Sequence, residues 1–236
     1  MILHVHVPVA TLWTAPDAAR ERDAAAVADD PDVRAWADSL DTDARRGLHG
    51  RTLSQLLHGE PVDVIGKHDD WVEVVARWQP SSRHERGYPG WVRRAHLGVD
   101  PVPDLPAPRY GPDAPPYPGQ QLLETARPFL GMEYLWGGTC VWAVDCSGLV
   151  HWVLRQHGVM VPRDAHDQQR AATPVALGQE RAGDLYFFAR PDREVHHVGF
   201  VVEPGVMLHA AETGISVAEE PLSDDRRATL VAAGRF

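Results

Sequence analysis

Through the first hundred residues, apolar and polar positions alternate in short runs. Residues 2–9, 61–65, 71–76 and 90–92 read as strands, with turn residues 66–70 between two of them. Such short, turn-bounded runs predict a small β-barrel. Between the first and second runs, residues 17–50 are rich in Ala, Asp and Arg and place Val33, Trp36, Ala37 and Leu40 at helical spacing. That spacing predicts one or two helices inserted into a barrel loop. Beyond residue 118 the period changes. Leu122, Leu123, Ala126 and Leu130 share one face of a helix expected over 120–130, with Pro128 near its end. A glycine-rich loop, 136–139, follows. Asp145 then precedes Leu149, Val150, Trp152, Val153 and His157 at helical intervals, with Gly158 closing the helix and Cys146 in its first turn. Strand-like runs come next at 184–188, 197–202, 206–210 and 215–217. Helices first and an antiparallel sheet afterwards is an α+β order. No segment recurs at a fixed period, which excludes a solenoid.

Between the two halves, residues 101–118 hold eight prolines, which neither pair inside a sheet nor continue a helix. They read as a stiff linker, so the expected organisation is a barrel over 1–100, a linker over 101–118 and a second domain over 119–236. With 236 residues, 44% hydrophobic and 24% charged, the chain has the composition of a folded globular protein. Its 23 basic and 33 acidic residues give 23 − 33 = −10, and no basic cluster is long enough to track a phosphate backbone. Nucleic acid is therefore not an expected partner. No apolar run approaches the ~18 residues of a membrane helix. Residues 1–16 lack a basic start followed by an apolar stretch, so the expectation is a cytoplasmic protein without a signal peptide or membrane partner.

Cys140 and Cys146 are the only cysteines, too few for a disulfide framework. The five residues between them fall outside both the C-x-x-C of redox pairs and the spacing of zinc modules, so neither a metal nor another cofactor is expected. A nucleophile remains. Unpaired N–H groups and the helix dipole at the start of a helix favour a thiolate at Cys146. The competing reading is a buried cysteine acting as a small apolar residue. A nucleophile also needs a base and a group to orient that base. His197 and His209 sit on adjacent predicted strands joined by the turn 203–205, where cross-strand side chains on one face can touch. By the two-residue period, His196 points to the other face.

Five motifs in order carry a resemblance. They are Tyr134-Leu135-Trp136-Gly137-Gly138, Asp145-Cys146-Ser147-Gly148-Leu149-Val150, Pro162-Arg163-Asp164, Arg181-Ala182-Gly183-Asp184-Leu185 and His196-His197-Val198-Gly199, with His209 following. Together they resemble the NlpC/p60 cysteine peptidases of bacterial cell-wall metabolism, over essentially all of 120–236. The preceding half, with Leu57-His58-Gly59-Glu60, Asp70-Trp71 and Gly87-Tyr88-Pro89-Gly90-Trp91, is similar to a bacterial Src-homology-3-like barrel. The pairing resembles the γ-D-glutamyl-L-diamino acid endopeptidase branch.

That resemblance implies a papain-like fold in which Cys146 attacks the amide between D-isoglutamate and the following diamino acid of a murein peptide. His197 is implied as the base and His209 as the group that orients it. Backbone N–H groups near the helix start, with Tyr134, would hold the oxyanion, and Trp136 would shape the acyl pocket with Arg163. Asp145 and Ser147 flank the nucleophile as in the family, and His196 belongs to the same substrate-side motif. Tyr88 matches the tyrosine at the barrel-closed end of the cleft, and Asp164 the carboxylate that pairs with the amine of an N-terminal L-alanine. This would select released peptides over glycan-linked wall, as peptide recycling requires. The chain departs from the pattern at Ala165, where the family has Ser, and at Leu53, where some members supply a Glu. Two other readings are a non-catalytic wall-peptide binding protein and an amidase or acyltransferase on another substrate.

Overall fold

The computed structural model describes residues 1–102, 107–110 and 118–236. Most of the proline-rich stretch therefore lies outside the described residues. The chain divides into two compact units: Met1–Ala107 with Leu135–Ala143, and Pro108–Tyr134 with Val144–Phe236. The expected boundaries treated 119–236 as one block, whereas the nine residues from Leu135 to Ala143 belong with the first unit.

In unit 1, strands β1 (Ile2–Val5), β2 (Val9–Trp13), β3 (Thr52–Leu57), β4 (Pro61–His68), β5 (Trp71–Ala76), β6 (Tyr88–Arg93) and β7 (Leu97–Gly98) form one sheet in the order β3-β2-β6-β5-β4-β1-β7. All its pairings are antiparallel. Leu3, Val5, Leu12, Leu56, Val62, Val74 and Val92 close a common core, as the alternation requires in an SH3-like β domain. The predicted run 2–9 is really two strands, broken at residues 6–8. β4 and β5 meet at His68↔Trp71 through a two-residue turn in which Asp69 takes φ +47°, a left-handed conformation that Asp tolerates.

The 17–50 segment forms three short helices rather than one or two: α1 (Ala24–Val27), α2 (Val33–Ser39) and α3 (Thr42–Arg46). Asp32 and Asp41 cap α2 and α3 by accepting from the N–H of Ala35 and Ala44. Val33, Trp36, Ala37 and Leu40 bury together against Trp13 in a second core of this unit.

Unit 2 begins with β8 (Arg109–Tyr110) and α4 (Gly119–Ala126), whose Leu122, Leu123 and Ala126 are buried as predicted. Its last predicted turn becomes a 3-10 segment, Arg127–Phe129, because Pro128 cannot donate to an α-helical ladder. Within the 135–143 segment of unit 1 lies β9 (Thr139–Cys140), and β10 (Ala143–Val144) marks the return to unit 2 before α5 (Cys146–Gln156). The chain continues through β11 (Val159–Met160), α6 (Ala165–Ala171), β12 (Thr173–Val175), β13 (Leu185–Phe188), β14 (His197–Glu203), β15 (Val206–His209), β16 (Ala218–Pro221), α7 (Asp224–Thr229) and β17 (Leu230–Arg235). The six-stranded sheet runs β12-β17-β13-β14-β15-β16, all antiparallel. Both of its faces are covered. Leu185, Phe187, Val198 and Phe200 pack with Leu149, Val150 and Val153 of α5, while Tyr186, Phe188, Val201 and Met207 pack with Leu222. This is the α+β architecture the element order implied. Among the described residues, no helix is long and apolar enough to cross a membrane.

Candidate active site

The first turn of α5 is built by polar residues that close on each other. Asp145 is its N-cap and accepts from the Gly148 N–H at 2.7 Å. The Arg163 guanidinium grips both oxygens of the same carboxylate, at 3.0 and 2.6 Å, and donates to Ser147 Oγ at 2.9 Å. Gln168 Nε2 donates to the carbonyls of Ser147 and Pro162, both at 2.9 Å. Arg163 is only 1% exposed. The three expected substrate-side residues Asp145, Ser147 and Arg163 thus bond to one another at the first turn of α5.

Cys146 is buried, and the backbone N–H groups of Val198 and Ser147 lie close enough to favour its charged form. Burial pushes the thiol up to about 12, with the adjacent Asp145 charge adding to the effect. The helix start alone predicts the opposite direction; desolvation outweighs it here. Cys140 is also buried, pushed up to about 11, and lies in unit 1.

His197 opens β14, the strand packed against α5, and immediately precedes Val198. Its Nε2 lies 2.7 Å from Nδ1 of His209 on β15. The register explains the pair. Pairing of these strands runs through Phe200↔Leu208, and one step further Gly199 faces His209. A Cβ built at Gly199 would lie 2.8 Å from His209 Cβ, so the missing side chain gives the His209 ring room to lean toward His197. Burial is the main cause holding both imidazoles below the usual histidine range, well below it for His197, whose second cause is the His209 charge; for His209 the Glu220 carboxylate opposes the shift. Behind them, Glu220 Oε1 lies 3.1 Å from His209 Nε2. Glu220 was not anticipated from the sequence because β16 was expected at 215–217; the available signal was its spacing of two from Ala218, the strand partner of His209. His196 is exposed, its N–H bonded to the Phe188 carbonyl.

Tyr134 is buried in unit 2, and burial first, then the charge of a Cys146 thiolate, holds its phenol well above 10, so it keeps its proton. Trp136 belongs to unit 1. Its indole Nε1 donates to the Thr52 carbonyl at 3.1 Å and its ring stacks on His49 at 4.2 Å. Tyr88 is buried in the unit 1 core with the Arg83 guanidinium 5.2 Å from its ring centre. Asp164 opens α6 and is half-buried; Ala165 beside it is buried. The ligand atoms of Asp164, His166 and Asp167 lie within 4.8 Å of one another, the grouping among the described residues with the donors to hold a metal. Asp167 also accepts from Arg170 at 3.2 Å.

Residues 131–230 match the NlpC/P60 family. The chain is 31% identical to a γ-D-glutamyl-L-lysine dipeptidyl-peptidase of Bacillus subtilis strain 168, covering 89% of this chain and 90% of that one. It is 28% identical to a protein of the same name from Bacillus cereus, over 93% and 86% of the two chains. The crystal structure of an NlpC/P60 family protein from B. cereus superposes with a TM-score of 0.92 at 27% identity, covering 100% of this chain and 99% of that one. A buried thiol at a helix start, beside a histidine pair on the adjoining strands, is thus joined by relatives matched along nearly the whole chain: the chain belongs to the NlpC/P60 family and is a cysteine peptidase.

Proposed function

We propose that this peptidase hydrolyses the amide between D-isoglutamate and the following L-diamino acid in murein peptides that carry a free N-terminal L-alanine, with Cys146 as nucleophile. The observation that carries this reading is the 2.7 Å pair of His197 and His209, on the strand packed against the helix that Cys146 opens and on that strand's neighbour. Because His209 occupies Nε2 of His197, Nδ1 is the nitrogen that takes the thiol proton as sulfur bonds to the γ-carbonyl carbon. His197 then gives that proton to the departing amine as the C–N bond breaks, leaving a thioester. Water, deprotonated by the same nitrogen, cleaves the thioester, restoring the thiol and releasing the γ-carboxyl product. The protonated Tyr134 and the backbone N–H groups at the start of α5 are the donors for the oxyanion; such donors are typically worth ~3 kcal/mol each.

Asp164 is the partner for the substrate ammonium. The second carboxylate of Asp167 nearby supports that assignment by making the α6 start suited to a cation. The names of the two Bacillus relatives support the bond cleaved.

The test is incubation with L-Ala-γ-D-Glu-diaminopimelate and L-Ala-γ-D-Glu-Lys peptides, with free and acetylated N-termini, and product identification by mass. The expected products are L-Ala-D-Glu and the diamino acid fragment, from free-amine peptides only. Cys146→Ala should give none. Turnover by Cys146→Ala equal to wild type overturns the nucleophile, and equal cleavage of acetylated peptides overturns the amine requirement.

A further inference from the structure

A base that accepts a proton through Nδ1 must hold its own hydrogen on Nε2, and nothing within a two-histidine pair dictates that. The hydrogen between His197 Nε2 and His209 Nδ1 can belong to either ring. If it belongs to His209, neutral His197 carries its hydrogen on Nδ1 and has no lone pair for the thiol. The third group in line breaks the tie. Glu220 Oε1 lies 3.1 Å from His209 Nε2, and an ionised carboxylate only accepts. His209 must then place its hydrogen on Nε2, its Nδ1 becomes the acceptor, and His197 must donate from Nε2.

From this chain of contacts we infer that Glu220 is a positioning residue for the reaction: it sets the tautomer of His209 and, through it, that of His197, leaving Nδ1 of His197 bare toward Cys146. The inference rests on the peptidase reading above. The fold places the residue for this work. Glu220 pairs with Met207 and Ala218 with His209, so Glu220 is the diagonal neighbour of His209 on the same face of the sheet. Glu219 points the other way and pairs with Arg127 at 3.1 Å. β16 is the edge strand, and the Glu220 side chain is 51% exposed while that of His209 is 0% exposed. The carboxylate thus faces solvent while its bond to His209 reaches into the buried pair. Its charge also favours the imidazolium formed during attack, opposing Arg226 of α7, which acts on both histidines, and His196, which acts on His197.

The experiment has two readouts. Nitrogen-15 NMR of the imidazoles reports tautomers without turnover. In wild type, His209 should be the Nε2–H form and His197 the Nε2–H form; in Glu220→Ala, both rings should show averaged or Nδ1–H signals. In kinetics on the cleaved peptide, Glu220→Ala should lower kcat about tenfold with KM within twofold and move the acid limb of kcat/KM to lower pH. Glu220→Gln, whose carbonyl still accepts, should keep the wild-type tautomers and most of kcat, while showing the same acid-limb shift. Thermal melts check that each variant is folded. Unchanged tautomers in Glu220→Ala overturn the proposal, as does a kcat within twofold of wild type with an unmoved pH profile. If no murein peptide is cleaved by wild type, the substrate reading fails, while the NMR arm still decides the role of Glu220.

Discussion

Gly199 does for the site what no side chain could. It sits across from His209, and a methyl group there would meet His209 Cβ at 2.8 Å and the Leu208 carbonyl at 3.2 Å. Those are backbone and first side-chain atoms, which cannot swing aside as the tip of a long chain can. Gly199→Ala is therefore expected to push the His209 ring off its 2.7 Å contact with His197, with a stability loss of about 1–3 kcal/mol from overpacking. Steady-state kinetics should show kcat/KM falling at least tenfold in a protein that still folds; a variant as active as wild type would mean that the His209 ring does not depend on this gap. The placement of Cys146 at a helix start and of His197 and His209 on adjacent strands was legible in the sequence, because both follow from local periods. The direction of the thiol shift was not, since burial is a property of the packed fold and reverses what the helix start alone suggests.

Helix α5 carries Cys146, the proposed nucleophile, and its first turn stands on a buried ion pair. Asp145 receives one helix N–H and two guanidinium bonds, and Arg163, 1% exposed, spends its fork on Asp145 and Ser147. Removing one partner leaves the other charge buried. Arg163→Met is expected to cost roughly 3–5 kcal/mol in urea unfolding, and adding Asp145→Asn, which keeps an N-cap acceptor, should recover part of that loss. A cost below 1 kcal/mol for Arg163→Met, or a double variant weaker than the sum of the two singles, would show that the pair does not support the turn. Elements of this kind separate what the pattern revealed from what it concealed. α5 was visible because its core face is apolar. β3 was missed because Thr52, Ser54 and Gln55 are buried polar residues bonded to distant partners: Ser54 donates to Gln79, and the Gln55 Oε1 accepts from the Thr139 N–H. A polar strand interior looks like a loop until its partners are known. The short α6 and α7, at seven and six residues, offered too few periods to register, and β16 was expected three residues too early.

Across the whole chain, burial has pushed several of the 13 histidines toward the neutral form. His96 in unit 1 and His151, His197 and His209 in unit 2 all lie below the usual range, each with desolvation as the largest cause. His151 is the clearest, lowered to about 4 on the buried face of α5, with Nδ1 2.9 Å from the Val161 carbonyl. The sign follows from proton binding. Between pH 6.5 and about 4 the unfolded chain binds a proton at this position and the folded chain does not, so stability is fully present above pH 6.5 and is lost as pH falls through that window. For His151 the loss by pH 4.5 is roughly 2–3 kcal/mol at 1.36 kcal/mol per unit. The other three histidines add to it in the same direction. His151→Asn places an amide N–H where Nδ1–H donates and removes the titration. Urea unfolding at pH 7 and pH 4.5 should show the variant losing roughly 2–3 kcal/mol less between the two pH values than wild type, even though it is weaker at pH 7 for the smaller side chain. Parallel losses in the two proteins would place the acid sensitivity elsewhere than in α5.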